Sequence, residues 1–125
     1  MKKITKFFLL LLLSVFIVGC GPNEQTNKAN ENVTITISEN KQQEIISEKV
    51  IQLKEETNLL TILKENFTIV EEDGFITSIE GKKQDASENR YWMYTVNDEH
   101  ANVGAGEYDL SPDDKVNFDL QEVSY

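Results

Sequence analysis

The chain has 125 residues, with 12 Lys and Arg set against 22 Asp and Glu, for a formal net charge of −10. An acidic surface repels the phosphate backbone, which excludes an electrostatically driven nucleic-acid partner. One cysteine and one histidine exclude an internal disulfide and leave no Cys/His set for a zinc site.

Lys2, Lys3 and Lys6 precede an apolar run from Phe7 to Val18, followed by Gly19 and Cys20. Basic residues ahead of a short greasy stretch make a secretory signal. The run is shorter than the roughly 20 apolar residues that a bilayer span requires. Ile17-Val18-Gly19-Cys20 resembles a bacterial lipobox. That resemblance implies a diacylglyceryl group on the Cys20 thiol and removal of residues 1–19. Lys2, Lys3 and Lys6 then leave with the signal, so 9 basic and 22 acidic residues remain, a net −13. Two acyl chains on Cys20 suffice for stable anchoring, where one binds only marginally. The expected location is the extracytoplasmic face of the cell membrane. Residues 20–32 hold the lipidated cysteine and a polar stretch, Gly21 to Asn32, with too little apolar surface to offset chain entropy; they read as a flexible tether.

Folded structure is expected over 33–125, a length suited to one domain. Val33, Ile35 and Ile37 alternate with Thr34, Thr36 and Ser38, the period of a half-buried strand. Glu39-Asn40-Lys41 predicts a turn. Ile45 to Leu53 predicts a second strand, with Ile51 and Leu53 inward. Thr57 or Asn58 can cap a helix whose stripe is Leu59, Leu60, Ile62, Leu63 and Phe67, and a left-handed Asn66 can end it. Phe67 to Val70 and Phe75 to Ile79 predict strands joined by Asp73-Gly74, a hairpin signal. Gly81 to Asn89 reads as loop. Arg90 to Val96 is apolar or aromatic on both faces, which predicts a central buried strand with Tyr91 and Met93 in the core. Asn97 to Gly106 reads as loop bent by its glycines, and Asn97 shapes the turn after the strand. Ser111-Pro112-Asp113-Asp114 predicts a type I turn. Val116, Phe118 and Leu120 form the last strand, with a bend before Val123 and Tyr125. The order predicts an α+β fold, one helix laid across a mixed sheet.

No base, nucleophile and oxyanion site assemble, so the chain reads as non-catalytic and in need of no cofactor. Glu71-Glu72-Asp73 and Asp113-Asp114 do not fit a calcium loop, and acidic turns generally face solvent. His100 alone holds no metal and reads as an exposed loop residue.

The block Gly74-Phe75-Ile76-Thr77-Ser78-Ile79-Glu80-Gly81, Tyr91 to Asn97, Val103-Gly104-Ala105-Gly106-Glu107-Tyr108, Ser111 to Val116 and Val123-Ser124-Tyr125 resembles the transcobalamin-like C-terminal domain of bacterial surface lipoproteins. It is also similar to the small β-domain of transcobalamin and intrinsic factor. The resemblance runs from about Val33 to the end of the chain. It implies a β-grasp, ubiquitin-like fold and a ligand of the cobalamin or corrinoid class, held as an accessory to uptake. In the carriers this domain lies over one face of the corrin. The matching loop here is His100 to Gly104, leading to Tyr108. Asn102, Val103, Gly104 and Tyr108 are its ligand-contact candidates. Trp92, Tyr94 and Asn97 join them, with Trp92 and Tyr94 open to either core packing or stacking on a ligand. The carriers close the site with a helical barrel for which one small domain has no room, so a partner protein would complete it. An envelope interaction or adhesion module without a small-molecule ligand is the other class open to such a domain.

Overall fold

The computed structural model describes residues 31–55 and 57–125. The signal segment 1–19, Cys20 and the tether as far as Asn30 lie outside the described residues. In chain order the strands are β1 (Asn32–Glu39), β2 (Glu44–Gln52) and β3 (Thr57–Asn58), followed by the helix α1 (Leu59–Asn66). Then come β4 (Ile69–Glu72), β5 (Phe75–Ile79), β6 (Lys82–Lys83), β7 (Arg90–Val96), β8 (Glu99–His100), β9 (Asp109–Leu110) and β10 (Lys115–Glu122). Short 3₁₀ turns cover Ala86–Glu88 and Ala105–Glu107.

The main sheet has the order β2-β1-β10-β7-β8. β1 and β10 pair in parallel at its centre, while β1 with β2 and β10 with β7 are antiparallel. A parallel pair cannot be joined by a tight turn. The whole of the chain between them, α1 included, forms the crossover. β4, β5 and β6 make a separate three-stranded sheet, and β3 pairs with β9. The result is α+β, as the element order predicts.

The alternation in β1 behaves as read: Val33, Ile35 and Ile37 are buried on one face, together with Val116, Phe118 and Leu120 of β10. α1 covers that face with Leu59, Ile62 and Leu63. Asn58 is its cap, with the side-chain oxygen accepting from Leu60 N at 3.0 Å. Its end differs from expectation. Asn66 stays helical, its side chain donating to Ile62 O at 2.9 Å, and Phe67 turns the chain out at an extended φ of −133°. Phe67 is therefore a helix stop packed in the core, and β4 begins two residues later. On β2, Lys49 lies over the Phe67 ring, 4.7 Å from its centroid, and its ammonium donates to Asn66 O.

Two turns are set by tertiary bonds. Asn40, Lys41 and Gln42 are all left-handed, with φ of 55°, 57° and 64°. Buried Asp119 on β10 holds them, accepting from Lys41 N and Gln42 N at 2.8 Å each and from Ser38 Oγ at 2.7 Å. The Ser111–Asp114 turn is not type I. Asp113, at its third position, has φ of 68°, which belongs to type II. Its N–H is claimed by Asn32 O at 2.8 Å, and that bond from β1 selects the flipped peptide. Asp114 departs from the solvated acidic turn expected of it: it is buried, and accepts from Ser111 N at 2.9 Å and Asn97 Nδ2 at 3.0 Å.

Candidate functional site

The register of β7 against β10 decides which side chains share a face. Trp92, Tyr94 and Val96 oppose Leu120, Phe118 and Val116, so they lie on the α1 side of the sheet. Tyr91, Met93 and Thr95 oppose Gln121, Asp119 and Asn117 on the other face, which no helix or second sheet covers among the described residues. The expectation that Tyr91 and Met93 are core fails here. A strand apolar on both faces reads as doubly buried, but among the described residues this sheet has a layer on one side only. Met93 is exposed and Tyr91 half-buried.

On the α1 side, a groove of about 400 Å³ opens between the β4–β5 hairpin, β7 and the 101–106 loop. Phe75, Ile76, Gln84, Trp92, Tyr94 and Gly104 line it. Phe75 begins β5 directly after the Asp73-Gly74 turn, whose φ values of 52° and 85° are those of a tight hairpin. Its ring is 72% exposed. It shares the groove with the rings of Trp92 and Tyr94, so three aromatic side chains border one apolar recess.

Each groove side chain is held from behind. The Trp92 indole N–H donates to Lys82 O at 3.1 Å, while the Lys82 ammonium reaches buried Glu39 at 3.3 Å. This ties the groove wall to β1 through β6. Tyr94 stacks on Phe118 at 4.8 Å between centroids and meets the edge of Tyr108 at 6.5 Å. Its hydroxyl donates to Val103 O at 2.5 Å, which pins the 101–106 loop to the strand. Burial pushes the Tyr94 phenol above the ordinary tyrosine range, with Tyr108 and Glu107 adding to it. The Tyr108 phenol is raised too, by burial and then by the Asp114 carboxylate that its hydroxyl faces at 3.5 Å.

Of the residues singled out from the sequence, Trp92, Tyr94 and Gly104 come together in this groove. Trp92 and Tyr94 each pack against the core and also line the groove. Asn102 and Val103 are exposed on the outer side of the loop and do not line the groove. Tyr108 stands behind Tyr94 as a support. Asn97 is a joint, accepting from Lys115 N and donating to Asp114, both at 3.0 Å, and it lies away from the groove. Gly104 is not a left-handed bend: its φ is −68°, and a side chain added there would meet nothing within 4 Å. His100 sits on β8 opposite Thr95 and lines a hollow of about 570 Å³ on the uncovered face, with Met93, Asn117 and Asp119. Asp98 and Glu122 line it too, and the Asp119 carboxylate is already engaged by the β1–β2 turn. Phe75, Ile76 and Gln84 were missed by the sequence reading. An aromatic residue directly after a hairpin Asp-Gly, where a polar one is usual, was the available signal for the first.

Fold and groove together define a one-helix α+β domain with an aromatic recess beside a sheet edge. Residues 56–122 match the model of a family described as Domain of unknown function (DUF4430), and the chain belongs to that family. Its fold is also similar to a crystal structure from Ruminococcus gnavus ATCC 29149 described as a "putative metal binding protein". The TM-score is 0.62 at 20% identity, over 75% of this chain and 99% of that one. At that identity the likeness shows a shared fold. No curated protein matches the chain. Among the described residues, no group of three or more His, Cys, Asp and Glu is placed to hold a metal ion.

Proposed function

We propose that this protein is a non-catalytic ligand-binding domain whose groove takes a flat, partly apolar small molecule rimmed with amides, of the corrinoid class. The observation that carries this reading is the convergence of exposed Phe75 with Trp92 and Tyr94 around about 400 Å³ of open space. Aromatic walls with a few polar groups are the usual composition of a small-molecule site. The corrinoid class comes from the resemblance to the transcobalamin-like domain. A β-grasp fold accords with β1 and β10 running parallel at the centre of the sheet and α1 crossing one face. The groove covers one side of a flat ligand, so a partner protein closing the other side would raise affinity. Cys20, carrying a diacylglyceryl group, would hold the domain at the outer face of the membrane. Metal binding, the property in the description of the Ruminococcus protein, has no ligand cluster to support it among the described residues.

Equilibrium dialysis of the full chain in detergent micelles against dicyanocobinamide tests this, with bound corrinoid read by its absorbance. Retention at micromolar protein, lost in Phe75→Ala, is the expected result. No retention of any corrinoid would refute the ligand class. A stoichiometric envelope protein recovered through the same face would then move the assignment to an interaction module. Labelled palmitate entering the wild type but not Cys20→Ala tests the anchor.

A further inference from the structure

β7 bonds to β10 through alternate residues, and two flanking bonds fix the phase. Val123 N donates to Asn89 O at 2.9 Å, and Asn97 N donates to Lys115 O at 2.8 Å. With the register Trp92 to Leu120 and Tyr94 to Phe118, it is Tyr91, Met93 and Thr95 that exchange bonds with β10. Arg90, Trp92 and Tyr94 therefore turn their main-chain groups to the other edge. There Arg90 closes a two-bond bridge with Asp85, 2.9 Å each way, and Tyr94 C=O accepts from Ala101 N at 3.4 Å. Between these closures stand Trp92 N–H, Trp92 C=O and Tyr94 N–H, none with a protein partner among the described residues. They face the groove that Trp92, Met93 and Tyr94 line together with Phe75, Ile76, Gln84 and Gly104.

An open edge normally invites a whole strand. This one is too short. The chain is paired on both sides of Trp92, and only one residue, about 3.4 Å of rise, is free. What fits is a single group that accepts from an N–H and donates to a C=O side by side. A carboxamide does both. We propose that the outward N–H and C=O of Trp92, supported by Tyr94 N–H, form a one-amide slot in the groove that takes a carboxamide of the ligand. The slot rests on the groove reading and gives it a polar anchor: the aromatic rings hold a flat apolar body while the strand edge reads an amide at its rim. A partner that leaves main-chain groups unpaired in a desolvated groove forfeits binding free energy, so the slot discriminates against ligands lacking the amide.

The test is a ¹⁵N-resolved titration of the full chain in detergent micelles with three probes. These are dicyanocobinamide, its counterpart with the peripheral carboxamides replaced by methyl esters, and N-acetyl-leucine N-methylamide as a capped single residue. Dicyanocobinamide should move the Trp92 and Tyr94 main-chain N–H resonances downfield, and the ester should bind at least about tenfold more weakly, equal to 1.4 kcal/mol. If the ester binds as tightly, or the groove side chains respond while those main-chain resonances stay put, the slot is refuted and the groove stands. If the capped leucine moves Trp92 while cobinamide does not, the slot stands and the corrinoid class falls. If no probe moves any groove resonance, both are overturned.

Discussion

Replacing Asp119 with alanine removes the acceptor that holds the β1–β2 turn in its left-handed form. A left-handed conformation costs a residue other than glycine about 1–2 kcal/mol, so Asn40, Lys41 and Gln42 together cost about 3–6 kcal/mol. Two main-chain bonds to a carboxylate, at about 1.5–3 kcal/mol each, offset that sum almost completely. Without them the turn can relax and its exposed N–H groups can rehydrate, which recovers part of the loss. Ser38, buried beneath, still accepts from Asn117 Nδ2 at 3.0 Å, and its own donor keeps long contacts to Phe118 O and Asn117 Oδ1 at 3.4 Å. The expected net loss is about 3 kcal/mol, a large share of the 5–14 kcal/mol usual for a domain of this size. Urea unfolding followed by circular dichroism should show a midpoint lower by about 2 M, for a slope near 1.5 kcal/mol/M. Lys41→Gly or Gln42→Gly, placed in the Asp119→Ala background, should each restore about 1 kcal/mol, since glycine adopts the left-handed region freely. Ser47→Gly inside β2 should instead cost about 0.5–1 kcal/mol. A loss below about 1 kcal/mol for Asp119→Ala, or glycine substitutions that fail to rescue it, would refute the account of the turn.

Leu63 is fully buried under the sheet, so Leu63→Ala should cost about 2–5 kcal/mol by urea unfolding. Asn58→Ala removes the cap bond to Leu60 N and should cost about 1 kcal/mol, with Asn58→Ser close to wild type. Phe75→Ala should change stability by no more than about 0.5 kcal/mol, because the ring is already in water, while abolishing ligand retention. The Tyr94 and Tyr108 phenols both titrate above the ordinary range in the folded state, so folding binds their protons more tightly. The stability this contributes is fully present below the unfolded tyrosine value of about 10 and is lost as pH rises through the folded values. Alkaline titration of tyrosinate absorbance should therefore show these two of the 4 tyrosines ionising last, and Tyr94→Phe with Tyr108→Phe should remove that late phase.

Local signals were legible wherever the physics is local. The alternation of Val33, Ile35 and Ile37, the Asn58 cap, the Asp73-Gly74 hairpin and the bounds of β7 all follow from neighbours within a few residues. Two of the groove residues, Trp92 and Tyr94, stand out on the same terms as large aromatic residues on one strand, while Gly104 enters only through the resemblance of its loop. Phe75 carries one local mark, an aromatic residue directly after the hairpin Asp-Gly, but nothing in its own segment says that the hairpin tip will lie beside β7. Asn97 makes its side-chain bonds to Asp114 and Lys115, more than fifteen residues away, so its place as a joint appears only in the folded chain.

The sequence by itself determined the element types, the α+β order and the apolar stripe that becomes the core. Those depend on side-chain period and backbone preference, which the chain carries at every position. The tertiary structure alone decided that the first and last strands run parallel, that α1 lies on the face shared by Trp92 and Tyr94, and that Asp119 reaches back 77 residues to hold a left-handed turn. It also decided that the edge of β7 is closed on both sides of Trp92. Each of these is a meeting of groups far apart in sequence, and such a meeting leaves no period or spacing to read until the chain has folded.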